Sequence, residues 1–352
     1  MKPHLQQNML SLAAALFASS LVCGLLIFVL GENPLTIAGI LLEGAFGSIT
    51  GWCYTFFYAT PLIFTGLAVA VAMWGGLFNI GAEGQLYIGA LAAVYVGIAG
   101  ATLSGWLLIP LCIGAAISAG GLWGGTAGYL KAKFQAHEVI STIMLNFIAL
   151  GIVGWLASGP LHSPGDQIPQ TGFIGEGARL PRISALFPSL PASLPLNFSF
   201  LLALIVAVWV WYLGSRTRFG LAVRAIGHNP DAARALGIQV RRTMILTMAL
   251  AGALAGMVAV NEILGFRYRF LDNFSPGYGF TGIAVALLGR NHPAGIVAAA
   301  IMFGALMRGG LLVDIFSDTI TKDLVVIFQG IIILAVVMES FWKSHIKKWT
   351  AS

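Results

Sequence analysis

Apolar stretches long enough to cross a bilayer recur along almost the whole of this chain. They lie near residues 10–30, 56–74, 83–99, 106–129, 139–158, 198–214, 243–264, 294–312 and 324–341. A hydrocarbon core about 30 Å thick takes about 20 helical residues. At that depth no water is present to satisfy the backbone, so each stretch has to be helical or part of a closed barrel, and runs of this length are helical. One further stretch, near 278–289, is too brief to cross straight; with Gly277, Gly279 and Gly282 around it, it reads as a span that starts earlier or as a half-helix. The pattern predicts an all-α polytopic membrane protein of about ten transmembrane helices, residues 1–352 forming one transmembrane domain.

Composition excludes the soluble alternative. Hydrophobic residues make up 58% of the chain and charged residues 9%, where a soluble domain carries about a quarter charged. The apolar run from Met9 to Leu30 behind Lys2 is longer than a cleaved signal core, so it reads as an uncleaved first helix. Cys23, Cys53 and Cys112 lie singly in or beside apolar segments and read as buried small hydrophobes.

Ten passes put both ends on one side, and the basic residues test this. Lys2, Lys131, Lys133, the six arginines from Arg216 to Arg242, Arg290, Lys343, Lys347 and Lys348 fall on that side, thirteen of the nineteen Lys and Arg residues. Arg179, Arg182, Arg267, Arg269 and Lys322 fall opposite, with Arg308 inside a span. The bias makes the first side cytoplasmic, with both termini there. The net charge of +6 is therefore a matter of topology, not of nucleic-acid binding. A Pro-, Gly- and Ser-rich loop, 159–196, falls outside and reads as a lid, a docking surface or a plain connection. Residues 31–55, with Glu32 and Glu43, form a second external segment along the membrane surface. The loop 215–242 is cytoplasmic.

Small residues mark helix contacts. Gly120, Gly124 and Gly128 repeat every fourth residue, as do Gly121 and Gly125, and Gly252 and Gly256 repeat the device in the seventh span; such spacing lets two helices approach closely.

No GxxxxGK[ST] loop occurs, so ATP cannot be hydrolysed here by a phosphate-cradling loop. Transport work would have to come from a partner's ATPase or from an ion gradient. Ionisable residues in or near spans are few: Glu83, Glu138, Glu262, Arg308 and Glu339. Glu138, Glu262 and Glu339 read as solvated charges at span ends, and Arg308 either reaches the outer interface or pairs with Asp314. The six histidines are single and no metal-ligand spacing or catalytic constellation is present. Glu83 belongs to a polar, glycine-rich cluster, Gly75 to Gln85, with Asn79 and Gln85. It is either a tight cytoplasmic turn or a re-entrant bend whose polar groups face a translocation path. Asn79, Glu83, Gln85 and Asn146 are the candidate path residues.

Inside the cytoplasmic loop, Asn229-Pro230-Asp231 reads as a helix start and Gly237 as its stop. Pro230 to Leu236 would form two turns, marginal alone and in need of something to pack against. A short, capped, exposed helix on one face of a membrane protein suits docking to a soluble partner.

Four segments carry a resemblance: LFNIGAEGQLYIGALAA (77–93), HEVISTIMLNFIAL (137–150), RAIGHNPDAARALGI (224–238) and GFTGIAVALLGRNHPAGIVAAAIMFGAL (279–306). In this order they resemble the membrane-spanning permeases of bacterial ABC importers, in the group that handles simple sugars, nucleosides and branched-chain amino acids. The chain is most similar to the larger permease of nucleoside importers that work with basic-membrane-protein-like lipoproteins. The resemblance implies a multi-pass permease domain of the bacterial inner membrane, part of an ATP-driven importer translocating a nucleoside, with a simple sugar as the alternative. It implies a second homologous permease, an extracytoplasmic substrate-binding protein, and an ATPase subunit with two nucleotide-binding halves, where ATP and magnesium would bind; this chain would hold no cofactor. Asp231-Ala232-Ala233 and Gly237 match the family's EAA-x-x-x-G-like loop with Asp for Glu. The resemblance thus makes Arg224 to Gly237 the ATPase-coupling helix, carried by Arg224, Gly227, Asn229, Pro230, Asp231, Ala232, Ala233 and Gly237. Rival readings are an ion-coupled secondary carrier and a membrane scaffold.

Overall fold

The computed structural model describes residues 3–186, 191, 193–317 and 321–338. In chain order the helices are α1 (Pro3–Val29), α2 (Pro34–Phe46), α3 (Ile49–Trp74), α4 (Ala82–Ala99), α5 (Gly105–Phe134), α6 (Glu138–Ser158), α7 (Ser199–Arg216), α8 (Arg218–His228), α9 (Pro230–Ala235), α10 (Val240–Gly256), α11 (Tyr278–Leu288), α12 (Pro293–Phe316) and α13 (Lys322–Val337). After α10 a π-helical segment, Val260–Arg267, continues the same span. Lys2, Lys343, Lys347 and Lys348, which enter the expected orientation of the termini, lie outside the described residues, as does Glu339, expected as a solvated charge at a span end.

Over their described residues all ten apolar stretches form helix, but they are not all full crossings. Seven helices among the described residues are long and apolar enough to cross a membrane, or eight if α1 and α2 form one bent span. The 278–289 stretch is the 11-residue α11, about 16 Å at 1.5 Å per residue and half a hydrocarbon core. Segment 31–55 departs from expectation, because it holds all of α2, and α3 begins at Ile49, not near 56. The bend between α1 and α2 is 116°. Gly31 takes the left-handed φ of 87°, Pro34 cannot continue a helix through its missing N–H, and the Asn33 side chain accepts the Leu35 N–H at 2.9 Å to start α2.

The chain divides into two compact units, 1–58 with 301–352, and 59–300. In the first, Ile27, Ile37, Val313 and Phe328 bring α1, α2, α12 and α13 together. Gly44 and Gly309 let α2 lie against α12: a Cβ at Gly309 would stand 2.6 Å from the Leu41 carbonyl oxygen.

The core of the second unit is the contact of α5 with α10. The two glycine series noted in the sequence face each other. A Cβ on Gly124 would meet Gly252 Cα at 2.9 Å, and one on Gly252 would overlap the carbonyl oxygen of Gly120. Gly89 brings α4 into the same contact, 2.7 Å from Gly256 Cα by the same measure. Lacking Cβ atoms, these backbones gain dispersion contacts that bulkier helices cannot make. Elsewhere α5, α6 and α7 expose Leu122, Ile140, Phe147, Trp155, Ile205 and Val208, a surface suited to hydrocarbon or a second membrane protein.

The described part of the 159–196 loop is tied down. The N–H groups of Thr171, Ile174 and Leu180 donate to the carbonyls of Phe270 (3.0 Å), Tyr268 (2.8 Å) and Leu264 (2.7 Å). It therefore closes over the segment between the π-helix and α11.

Candidate functional site

The Gly75–Gln85 cluster is a break between two spans. α3 stops at Trp74, the chain runs without regular structure, and α4 starts at Ala82. Gly76 takes φ 68° and would bring a Cβ within 3.2 Å of Gly227 Cα. Asn79 and Gln85 form a closed amide pair: Asn79 Nδ2 donates to Gln85 Oε1 and Gln85 Nε2 to Asn79 Oδ1, each at 2.9 Å. Asn79 Oδ1 also accepts the Gly81 N–H at 3.1 Å. From α6, Asn146 Oδ1 accepts the Gly84 N–H at 2.8 Å while its Nδ2 donates to the Ile80 carbonyl at 2.9 Å. The side chains replace the backbone partners that the break removes, as buried polar groups require.

Glu83 joins this break to a second one. Its Oε2 accepts the Gly279 N–H, in the first turn of α11, at 2.6 Å. Glu83 also stands in the first turn of α4. One carboxylate thus lies at the positive ends of two helices, where both dipoles favour its charge. Tyr87, one turn on, receives the Ser275 N–H at 3.3 Å, and Ser275 Oγ accepts the N–H groups of Gly277 and Tyr278. The four candidate path residues are therefore brought to one place, all buried, each engaged with backbone or with another of the set.

The π-helix supplies a part of the site that the sequence reading assigned differently. Glu262, expected as a solvated charge at a span end, is fully buried. Arg267 Nε donates to its Oε2 at 3.2 Å, and Tyr278 Oη and Asn261 Nδ2 donate to Oε1, each at 3.2 Å. Asn261 Oδ1 in turn accepts the Ser199 hydroxyl at 2.9 Å. The wider π turn places Asn261 and Glu262 inward at consecutive positions, and such turns concentrate at functional sites. The signal available in the sequence was the Asn261-Glu262 dipeptide inside an otherwise apolar run. Glu138, by contrast, pairs with Lys131 at 2.8 Å. No ion pair joins Arg308 to Asp314; six residues apart, they are separated by about 120° around α12.

What this arrangement provides is two discontinuous helices whose N-termini meet at a buried carboxylate, a construction suited to a movable wall around a polar solute. The comparisons with known proteins agree in kind. Residues 53–337 match the family described as "Branched-chain amino acid transport system / permease component". The chain is 38% identical over 336 residues to the guanosine ABC transporter permease protein NupP of Bacillus subtilis, covering 95% of this chain and 93% of that one. It is 34% identical over 331 residues to the glucose ABC transporter permease protein TsgB13 of Haloferax volcanii, covering 93% and 87%. It is 33% identical over 325 residues to the nucleoside ABC transporter permease protein NupB of Lactococcus lactis, covering 91% and 88%.

The chain belongs to this ABC permease family.

As an ABC permease it is a transport subunit, not an enzyme, and works with an ATPase and a substrate-binding partner. The permease's 215–242 loop has the geometry that the sequence predicts for its short helix. The Asn229 side chain accepts the N–H groups of Asp231 at 2.9 Å and Ala232 at 3.0 Å, and Gly237 takes φ 82°. The helix closes one residue sooner than expected, at Ala235. Arg224 to Gly237 is not one helix, however. Arg224 and Gly227 belong to α8, and the chain breaks at extended Asn229, because the residue before a proline is held out of the α region.

The short helix finds its packing partner within the permease itself: Ala233 is buried with Ile226 of α8 and Val240 of α10. Its outer face keeps Asp231, Ala232 and Arg234 exposed, and Leu236 is 80% exposed. Gly227 seats α8 on the end of α3, where a Cβ would overlap the Trp74 carbonyl oxygen and lie 3.0 Å from Gly76 N. A continuous line of contacts therefore leads from α9 through α8 to the Gly75–Gln85 break.

Proposed function

We propose that this permease forms the membrane pathway of an ATP-driven importer that brings a nucleoside across the bacterial inner membrane. The observation that carries the reading is the 38% identity to the guanosine permease of B. subtilis over more than nine-tenths of both chains. The 34% identity to the glucose permease of H. volcanii supports a simple sugar as the second reading. Both are uncharged, hydroxyl-rich solutes that a site rich in amides could meet by hydrogen bonding.

In this reading the partners are a second homologous permease, an extracytoplasmic binding protein, and an ATPase subunit whose two halves hold ATP and magnesium. Both termini and the α8–α9 loop are cytoplasmic, as the distribution of basic residues supports. Closure of the ATPase halves pushes on α9. The displacement passes through α8 and Gly227 to the break after α3. Asn79, Glu83, Gln85 and Asn146 act from the wall of the path, fixing the starts of α4 and α11 so that these move together. ATP shifts the transporter between inward and outward arrangements because the ATPase binds it with different affinity in each.

The test is uptake of labelled guanosine and of labelled glucose by cells with and without this chain. Loss of guanosine uptake alone supports the nucleoside reading, and loss of glucose uptake alone supports the sugar. Uptake that survives ATP depletion and collapses with the ion gradient would sink both in favour of a secondary carrier.

A further inference from the structure

Arg308 stands eight residues from the end of α12, about 12 Å inside the span. Among the described residues no ion pair reaches its guanidinium, and Nε is shut off from solvent without an acceptor. Its position is nevertheless fixed, because the guanidinium carbon lies 4.4 Å from the centre of the Tyr54 ring, a stacking that leaves the edge of the guanidinium free to donate. A permanent cation at membrane depth is costly when unpaired, and the remaining donors point to an anion.

The surroundings specify the anion further. Arg308 lines a cavity of about 440 Å³ with Glu43, Ser48, Ile40, Leu312 and Phe316. The cavity exists because Gly44 and Gly309 hold α2 close to α12. It presents one cation, one exposed carboxylate and a hydroxyl beside apolar side chains. Leu42, Ile315 and Phe316 next to it are exposed and continue the apolar surface.

We propose that this cavity binds a zwitterionic phospholipid headgroup, the phosphate on Arg308 and a primary ammonium on Glu43, with the glycerol and first acyl carbons against Leu312 and Phe316. Phosphatidylethanolamine carries both charges and N–H donors. Phosphatidylglycerol would set a second negative group near Glu43, and phosphatidylcholine has no N–H to give it. The site belongs to the leaflet that the C-terminal third of α12 crosses.

The test is native mass spectrometry of the detergent-purified transporter complex, with the three lipids added at equal concentration. The native complex should retain phosphatidylethanolamine in preference to the other two. Arg308→Gln should weaken that retention about tenfold, the effect of losing one charge-assisted contact, and Glu43→Gln should erase the preference over phosphatidylglycerol. Equal retention of all three lipids by the native complex overturns the proposal, as does native retention by Arg308→Gln. Should Arg308→Gln fail to assemble, the exposed Glu43→Gln decides alone, and an unchanged lipid preference then overturns the proposal.

Discussion

Glu83 and Gly279, 196 residues apart, are joined by a 2.6 Å hydrogen bond from the Gly279 N–H to the Glu83 carboxylate. The contact depends on the absence of a side chain, since a Cβ on Gly279 would lie 2.7 Å from Glu83 Cα. It fastens the start of α11 to the start of α4. Glu83→Gln keeps an acceptor there but removes the charge that both helix ends favour, whereas Glu83→Ala leaves the Gly279 N–H unpaired. The expected order of thermal stability in detergent is native, then Gln, then Ala, with Ala losing about 1–3 kcal/mol. Uptake should fall in the same order. An Ala variant as stable as the native chain would remove the clamp.

The Asn79–Gln85 pair gives a different signature. Each amide satisfies the other inside the protein, so either truncation strands its partner. Asn79→Ala and Gln85→Ala should each cost about 1–3 kcal/mol, and the double variant should cost less than the sum. A coupling of about 0.5–3 kcal/mol in a double-mutant cycle is the expected result. Simple additivity would mean that the two side chains act independently.

Glycines of similar spacing on α5 should differ sharply in tolerance. A Cβ at Gly124 meets backbone of α10, with Gly252 N at 3.0 Å and Gly252 Cα at 2.9 Å. At Gly125 the nearest atom is the Ala249 Cβ at 3.4 Å, ordinary contact. Gly124→Ala should therefore lower the yield of folded chain severalfold, while Gly125→Ala stays near native. Size-exclusion profiles of the two variants, prepared in parallel, test this; two identical profiles would contradict the packing.

Local features were legible from sequence and distant ones were not. Asn229, Pro230 and Gly237 act within four residues of themselves, so their cap, first turn and left-handed stop could be read directly. Gly120, Gly124, Gly252 and Gly256 announce a contact through spacing alone, although not that they face one another. Asn146 stands out as a polar residue in an apolar run, but its attachment to Ile80 and Gly84 depends on where α6 lies against α4. Glu262 reads as solvated in the sequence because its partner Tyr278 lies sixteen residues on, and because a π turn leaves no mark in a hydrophobic pattern. Helix α2 does not stand out in the sequence because thirteen residues are too few to register as a span, although Asn33-Pro34 carries the same start signal as Asn229-Pro230.

The Glu262–Arg267 pair predicts an asymmetry between single and double substitutions. With Glu262 fully buried, Arg267→Ala leaves an uncompensated charge, a loss of about 3–5 kcal/mol for a buried pair. Glu262→Gln with Arg267→Gln removes both charges and should recover most of that stability. Thermal unfolding of the three purified variants distinguishes this from a simple packing role, in which the double variant would be the least stable.

At the end of α9, Leu236 and Gly237 separate docking from folding. Leu236 is 80% exposed, so Leu236→Asp should leave the stability of the chain within about 0.5 kcal/mol, the range for an ordinary surface substitution. If α9 docks on the ATPase, the same change should reduce co-purification of that subunit and abolish transport-coupled hydrolysis. Gly237 acts differently. Its surroundings are open, with nothing within 4 Å of a built Cβ, but its φ is 82°. Gly237→Val should thus cost about 1–2 kcal/mol through backbone strain alone, and Gly237→Asn less, because asparagine tolerates the left-handed region. A Leu236→Asp variant that couples normally would remove α9 as the docking element. Equal stability of the Val and Asn variants would remove the left-handed turn as the reason for Gly237.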